Sequence, residues 1–166
     1  PPPSPHPSPP RPSAPPPSPL PPRSPRPPFP APPLGSLLAT PLLGARLSSL
    51  ASATAYPAQN AIDGDVTTLA ASGLETNPWL SVEMGASLDV AYIAVYNRDD
   101  VQTYQAWLSP FEVALGDSYG DMSSPCSPQP VSVPTAAGPF LVSCGRAKAG
   151  RFVTLRLAGG PRPGER

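Results

Sequence analysis

Few side chains in this sequence could carry covalent chemistry, and their types narrow it sharply. The single histidine is His6, so residues 34–166 hold no imidazole to act as a general base. The acids closest together there are Asp63 with Asp65 and Asp99 with Asp100, and both pairs sit in turn-forming strings. A hydrolase needs a nucleophile beside a base, or an acid pair held across a cleft. Neither stands out, and the expectation is a protein that is not an enzyme. Cys126 and Cys144 are the two cysteines. Their simplest fate is one disulfide closing a loop of about 19 residues, worth roughly 3 kcal/mol in the loop-entropy account. A zinc site needs more ligands than they provide; a free reactive thiol is the alternative, without a histidine to activate it. The aromatic residues Trp79, Tyr104, Trp107 and Tyr119 could stack on a pyranose face if exposed. Arg146, Lys148 and Arg151 form a modest basic cluster, read as a solvated loop, with a sulfated or uronic polysaccharide as the alternative partner.

The elements that must position these residues come from two unlike polymers joined end to end. Of 31 prolines in 166 residues, 20 fall within residues 1–33. Proline fixes φ near −65° and removes a donor, so residues 1–33 are expected as an extended polyproline II segment rising about 3.1 Å per residue. Its Arg11, Arg23 and Arg26 lack prolines at the offsets that a Src-homology-3 ligand requires. A stiff extracellular stalk is the reading preferred over an unmodified linker. A collagen reading fails because these 33 residues contain no glycine. The arm carries +3 and residues 34–166 carry −3, for a net charge of zero. That gives no electrostatic footprint for nucleic acid. The longest apolar stretch, residues 34–50, is broken by Gly35, Pro41, Gly44 and Arg46 and falls short of the roughly 20 residues of a membrane span. With neither an initiator Met nor a basic-then-apolar leader, the chain is expected to start after processing or within a longer protein.

Residues 34–166 have the size of one domain with a single core. Period-two patterning dominates them. LSVEM at 80–84 alternates, and VAYIAVY at 90–96 is apolar on both faces, as in a central strand. FEVAL at 111–115 points Phe111, Val113 and Leu115 one way and Glu112 the other. FLVS at 140–143 is short, and RFVTLRL at 151–157 places Val153, Leu155 and Leu157 inside with Thr154 and Arg156 outside. Turn strings separate them: DGD at 63–65, NRDD at 97–100, GDSYGD at 116–121 and AGP at 137–139. The fold class is all-β, an antiparallel sandwich.

Taken in series, YPAQNAIDGD at 56–65, NPWLSVEMG at 77–85, VAYIAVYNRDD at 90–100, FEVALGD at 111–117 and the segment from Cys126 through GRFVTLRL to Leu157 resemble one family. It is the fucolectin–tachylectin-4–pentraxin-1 domain of the discoidin, or coagulation factor V/VIII type C, superfamily. The resemblance covers residues 47–157. It implies a galactose-binding-like β-sandwich jelly roll whose members bind sugars or other surface ligands without doing chemistry. The Ser-Pro units at Ser4, Ser8, Ser18 and Ser24 likewise resemble the hydroxyproline-rich cell-wall glycoproteins of plants and green algae, which implies hydroxylated, glycosylated prolines.

In the lectin branch, the resemblance implies fucose held by one His and two basic residues in an R-x-D-x₄-(R/K) pattern. Arg98 and Asp100 match its start, but the second basic position is Gln105, and Ala71 stands where the His is expected. Fucose binding in the usual manner is therefore not expected, and a salt-bridged corner is the preferred reading of Arg98 with Asp100. Tyr104 and Trp107 lie in the segment that forms the ligand-side loops of relatives. The resemblance also implies a structural Ca²⁺ at the A-x-x-A-I-D-G-(N/D) loop, with Asn60, Asp63 and Asp65 matching and Ser72 as a further ligand. An Asp-Gly turn capped by Asp63 is the competing reading. An EF-hand is excluded, since its sixth and twelfth positions would be Thr68 and Leu74. The family's closing strand, with a Cys-Glu pair, would fall where the chain reads PRPGER. Further chain or a strand from a neighbour is expected to supply it, because an open sheet edge is a liability.

The functional expectation is a non-catalytic extracellular module that recognises carbohydrate or matrix, carried on a rigid Pro-rich stalk. Its partners would be glycans or cell-wall components. The alternative is a structural glycoprotein of the cell wall or an extracellular filament, with the sandwich used for assembly.

Overall fold

In a computed structural model, the structure describes residues 40–159, so the proline-rich arm and the PRPGER tail lie outside it. Five strands form one antiparallel sheet in the order β1-β2-β5-β3-β4. They are β1 Leu42–Leu47, β2 Trp79–Val95, β3 Phe111–Gly116, β4 Ser124–Pro125 and β5 Phe140–Leu157. A short helix α1, Gln102–Gln105, and 3₁₀ turns at Ala58–Ala61 and Ala106–Leu108 complete the described secondary structure. The all-β expectation holds, but the five runs read from the sequence fall on three strands, two of them long, and β1 and β4 are additional. The runs at 80–84 and 90–96 are two halves of β2, and those at 140–143 and 151–157 are two halves of β5. β1 carried no period-two signal; its pairing with β2 imposes the strand.

The long strands stay paired through two irregularities that cancel. Between Glu83 and Leu88, β2 has four intervening residues where β5 has one; between Val90 and Tyr92, β2 has one where β5 has four. The pairing then returns to its original register, with Val95 opposite Phe140. Bulges of this kind bend and twist a strand, and here they carry the distal halves over the same core. Phe111 and Leu115 are fully buried on β3 and pack with Val113, Met84, Val95, Val142 and Cys144. Val90, Ile93, Val153, Leu155 and Leu157 pack against that cluster from the flanks. Cys126 and Cys144 form the expected disulfide, both within the core.

Two expectations about faces need correction. Thr154 is not outside: it is fully buried, and its hydroxyl shares a 2.9 Å hydrogen bond with that of Ser81, also fully buried. Arg156 is half-buried and pairs with Glu112 at 2.5 Å. The reason is that the second face of the sheet is covered too. The string GDSYGD does more than turn: Tyr119 crosses β5, β2 and β1, meeting Phe152 edge-on at 4.7 Å and donating its hydroxyl to Glu83 at 2.8 Å. Gly44 lies beneath that hydroxyl, where a Cβ would come within 2.7 Å of it, and Gly120 (φ 78°) lets the backbone settle on the Trp79 indole. Conversely, VAYIAVY is not apolar-covered on both faces. Val95 is buried, but Ala91 and Tyr96 are exposed.

Candidate functional site

The chain leaves β2 through a corner that hydrogen bonds over-determine. The Asn97 amide donates from Nδ2 to the Gln105 carbonyl (2.8 Å) and the Ala136 carbonyl (3.1 Å), while its Oδ1 accepts from the Arg98 N–H (3.0 Å). Gln105 is buried and donates from Nε2 to the Arg98 carbonyl at 3.1 Å. So the residue at the family's second basic position turns inward and builds the corner instead of facing a ligand.

On this frame the structure brings Arg98, Asp100, Tyr104 and Trp107 together. Arg98 donates Nε to Asp100 Oδ1 at 2.6 Å and a terminal nitrogen to Oδ2 at 2.7 Å. Its guanidinium lies 4.7 Å from the Tyr104 ring centroid, and the Tyr104 and Trp107 rings meet at 4.4 Å, tilted by 40°. Both effects favour charge at the pair. The Arg98 hydrogen bonds hold the Asp100 carboxyl down at about 2. Asp100 in turn pushes the Arg98 guanidinium upward, against its partial burial, with smaller electrostatic help from Tyr56 and Tyr104. Tyr104 and Tyr56 are exposed and Trp107 half-buried. The corner thus offers aromatic surface next to the guanidinium N–H groups that Asp100 leaves unused and a half-exposed carboxylate, which suits ring carbons and hydroxyls together. Tyr56, on another loop and near enough to Arg98 to act on it electrostatically, is a neighbour that sequence reasoning missed. It opens the matched string YPAQNAIDGD, but nothing in that string ties it to Arg98. Ala71 is held by its backbone, with its N–H on the Tyr56 carbonyl and its carbonyl accepting from the Ala51 N–H.

The second candidate group is the 60–68 loop. Asp63 accepts the Asp65 N–H at 2.9 Å, and Asp65 accepts both the Thr67 N–H (2.8 Å) and its hydroxyl (2.7 Å). Those Thr67 bonds keep the Asp65 carboxyl below its usual value. The competing Asp-Gly turn is thus present, yet it does not exhaust the geometry. The Thr68 hydroxyl lies 2.8 Å from Asp63 Oδ2, 3.0 Å from the Asp65 carbonyl and 3.4 Å from the Asn60 carbonyl. One hydroxyl proton cannot satisfy three acceptors. The surplus of oxygens matches what a hard cation seeks, although fewer than the six to eight that Ca²⁺ takes. Ser72 forms no hydrogen bond to this group among the described residues, and the Asn60 amide is spent on the Leu69 carbonyl at 2.9 Å. Thr68 is the contributor that sequence reasoning passed over.

The profile of the NedA-like galactose-binding domain, an F5/F8 type C family, matches residues 60–155, more than half of the chain. The chain belongs to that family. The resemblance read from the sequence is therefore correct: this F5/F8 type C domain is a discoidin-like, fucolectin-type jelly-roll sandwich. The structure is similar to the lectin domain of lectinolysin, solved with Lewis b antigen, at 25% identity and TM-score 0.57, covering 71% of this chain and 83% of that one. It is similar to a fucolectin from striped bass (Morone saxatilis) serum at 25% identity and TM-score 0.62, covering 72% of this chain and 42% of that one. CpGH89CBM32-5 from Clostridium perfringens, solved with GalNAc-β-1,3-galactose, shares the fold at 15% identity and TM-score 0.61, over 74% of this chain and 86% of that one. No curated protein matches the chain.

Proposed function

We propose that this F5/F8 type C domain is a non-catalytic carbohydrate-binding module that works outside the cell and takes its glycan at the Arg98–Asp100–Tyr104–Trp107 corner. The observation that carries the reading is the Arg98 guanidinium, held by Asp100 and laid on Tyr104, beside a partly exposed indole. Such a corner can stack a sugar ring and hydrogen-bond its hydroxyls without supplying a nucleophile. The glycans named with lectinolysin and with the Clostridium domain support a sugar as the ligand class. Loss of the expected His and of the second basic residue sets this site apart from fucose recognition of the usual kind.

In this reading Ca²⁺ is structural. The Asn60 carbonyl, Asp63, the Asp65 carbonyl and Thr68 would hold it, and it would fix the loop that ends near Tyr56 and Ala71. Extracellular location is supported by the Cys126–Cys144 disulfide and by the composition of residues 1–33, which would serve as a stalk modified around Ser4, Ser8, Ser18 and Ser24. Glycan-array binding of the 166-residue protein, in calcium and in chelator, tests the proposal. Binding to a defined set of sugars that falls in the Arg98→Ala and Trp107→Ala proteins is the expected result. An empty array under both conditions would refute it.

A further inference from the structure

A second charged group lies on the sheet face that the 117–121 loop crosses. Glu83 is its centre. Its Oε2 accepts the Tyr119 hydroxyl at 2.8 Å and its Oε1 accepts an Arg151 terminal nitrogen at 2.5 Å, so each carboxylate oxygen already has a partner. Arg46, on the neighbouring strand β1, is exposed and forms no ion pair with Glu83 or with any other described carboxylate. It is nevertheless held in place, with its guanidinium 4.4 Å from the Tyr119 ring centroid. Arg151 is half-exposed and lies 5.8 Å from the Phe152 centroid. Two guanidiniums thus stand against one carboxylate that is fully engaged, and the one with its donors unspent is pre-oriented by an aromatic ring. An arginine fork positioned this way suits a planar or tetrahedral oxyanion, because little freedom is left to lose on binding.

We infer that Arg46, seated on Tyr119 and flanked by Arg151, binds an anionic substituent of a polysaccharide, a sulfate ester or a uronate carboxylate. The site shares no residue with the Arg98 corner. It depends on the glycan-binding reading only for the polymer on which the anion is carried.

The test is retention of the full 166-residue protein on immobilised dextran sulfate, with unsulfated dextran as the control matrix. Dextran sulfate binds and dextran does not. Arg46→Ala weakens binding about tenfold, the scale of one charge-assisted hydrogen-bonded contact, and Arg46→Lys restores part of it, since charge returns without the planar fork. The triple change R11A/R23A/R26A controls for the basic arm. If that change abolishes retention while R46A does not, or if R46A binds like the parent, the inference is wrong. Inorganic sulfate should displace the polymer only at far higher molar concentration; equal potency would mean a free-anion site and would overturn the polysaccharide assignment. A neutral glycan array reads the Arg98 corner separately. A blank array beside R46A-sensitive retention would sink the corner and leave this site standing.

Discussion

Asp100 closes a two-point clamp on Arg98, with both carboxylate oxygens engaged at 2.6 and 2.7 Å, and the clamp presses the guanidinium against the face of Tyr104. The pair is neutral as a unit, one positive charge against one negative. Its acid limb is readable: a carboxyl held at about 2 has a folded value below the roughly 3.9 of an unfolded Asp. Its contribution is complete above that unfolded value and is lost as pH falls through about 2. Carbon-13 NMR of the Asp100 carboxyl should therefore show a midpoint near 2, and glycan binding should stay flat from pH 8 to 5. A midpoint at the free-Asp value would mean that the clamp does not form in solution.

Trp107 supplies the partly buried half of the aromatic pair, 4.4 Å from Tyr104. Removing it leaves Tyr104 without a neighbour on that side and strips stacking surface from the corner. The W107A protein should bind its best array glycan about three- to tenfold more weakly, the equivalent of an aromatic contact of roughly 0.5–1.5 kcal/mol. Isothermal titration with that glycan measures it. Unchanged affinity would place the ligand elsewhere.

Calcium linkage can be read by melting alone. If the convergent oxygens around Thr68 hold Ca²⁺, free ion at a hundred times its dissociation constant stabilises the fold by about 2.7 kcal/mol. Thermal denaturation in excess calcium should then exceed that in chelator by several degrees, and Asp63→Asn should erase most of the difference. Identical curves for the parent protein in both buffers would count against a metal there.

The buried hydroxyl pair gives a prediction independent of any ligand. Ser81 and Thr154 satisfy each other at 2.9 Å, fully buried. Thr154→Val strands the Ser81 hydroxyl and should cost about 1–3 kcal/mol, whereas adding Ser81→Ala should recover part of that loss. Urea titration of the two single variants and the double closes the cycle. Strict additivity would show that the hydroxyls do not depend on each other.

What the sequence made legible follows from which forces act locally. Phe111, Val113 and Leu115 alternate against Glu112, and the structure buries the three and leaves Glu112 half-exposed with Arg156. Alternation reports one covered face, so it misplaced Thr154, whose face is covered by a loop that returns from beyond β3. It also missed β1, since LLGARL has no period-two pattern and is extended only because β2 pairs with it. At the corner, the R-x-D string identified Arg98 and Asp100, two residues apart in sequence. Tyr56 and the Tyr119–Glu83–Arg46 group escaped notice because they assemble across separations that no short string records.

The two cancelling irregularities in β2 and β5 bear on how this domain can change length. Three surplus residues on one strand are matched by three on the other further along, so the far ends meet as if neither existed. A one-residue insertion in either bulge would slide Val95 off Phe140 and Ile93 off Val142 and turn core side chains outward. Two length changes that offset each other would leave the far ends in step. Within this fold, then, the segments 84–87 and 144–147 form a coupled pair of tolerances, and relatives that lengthen one should be found to have adjusted the other.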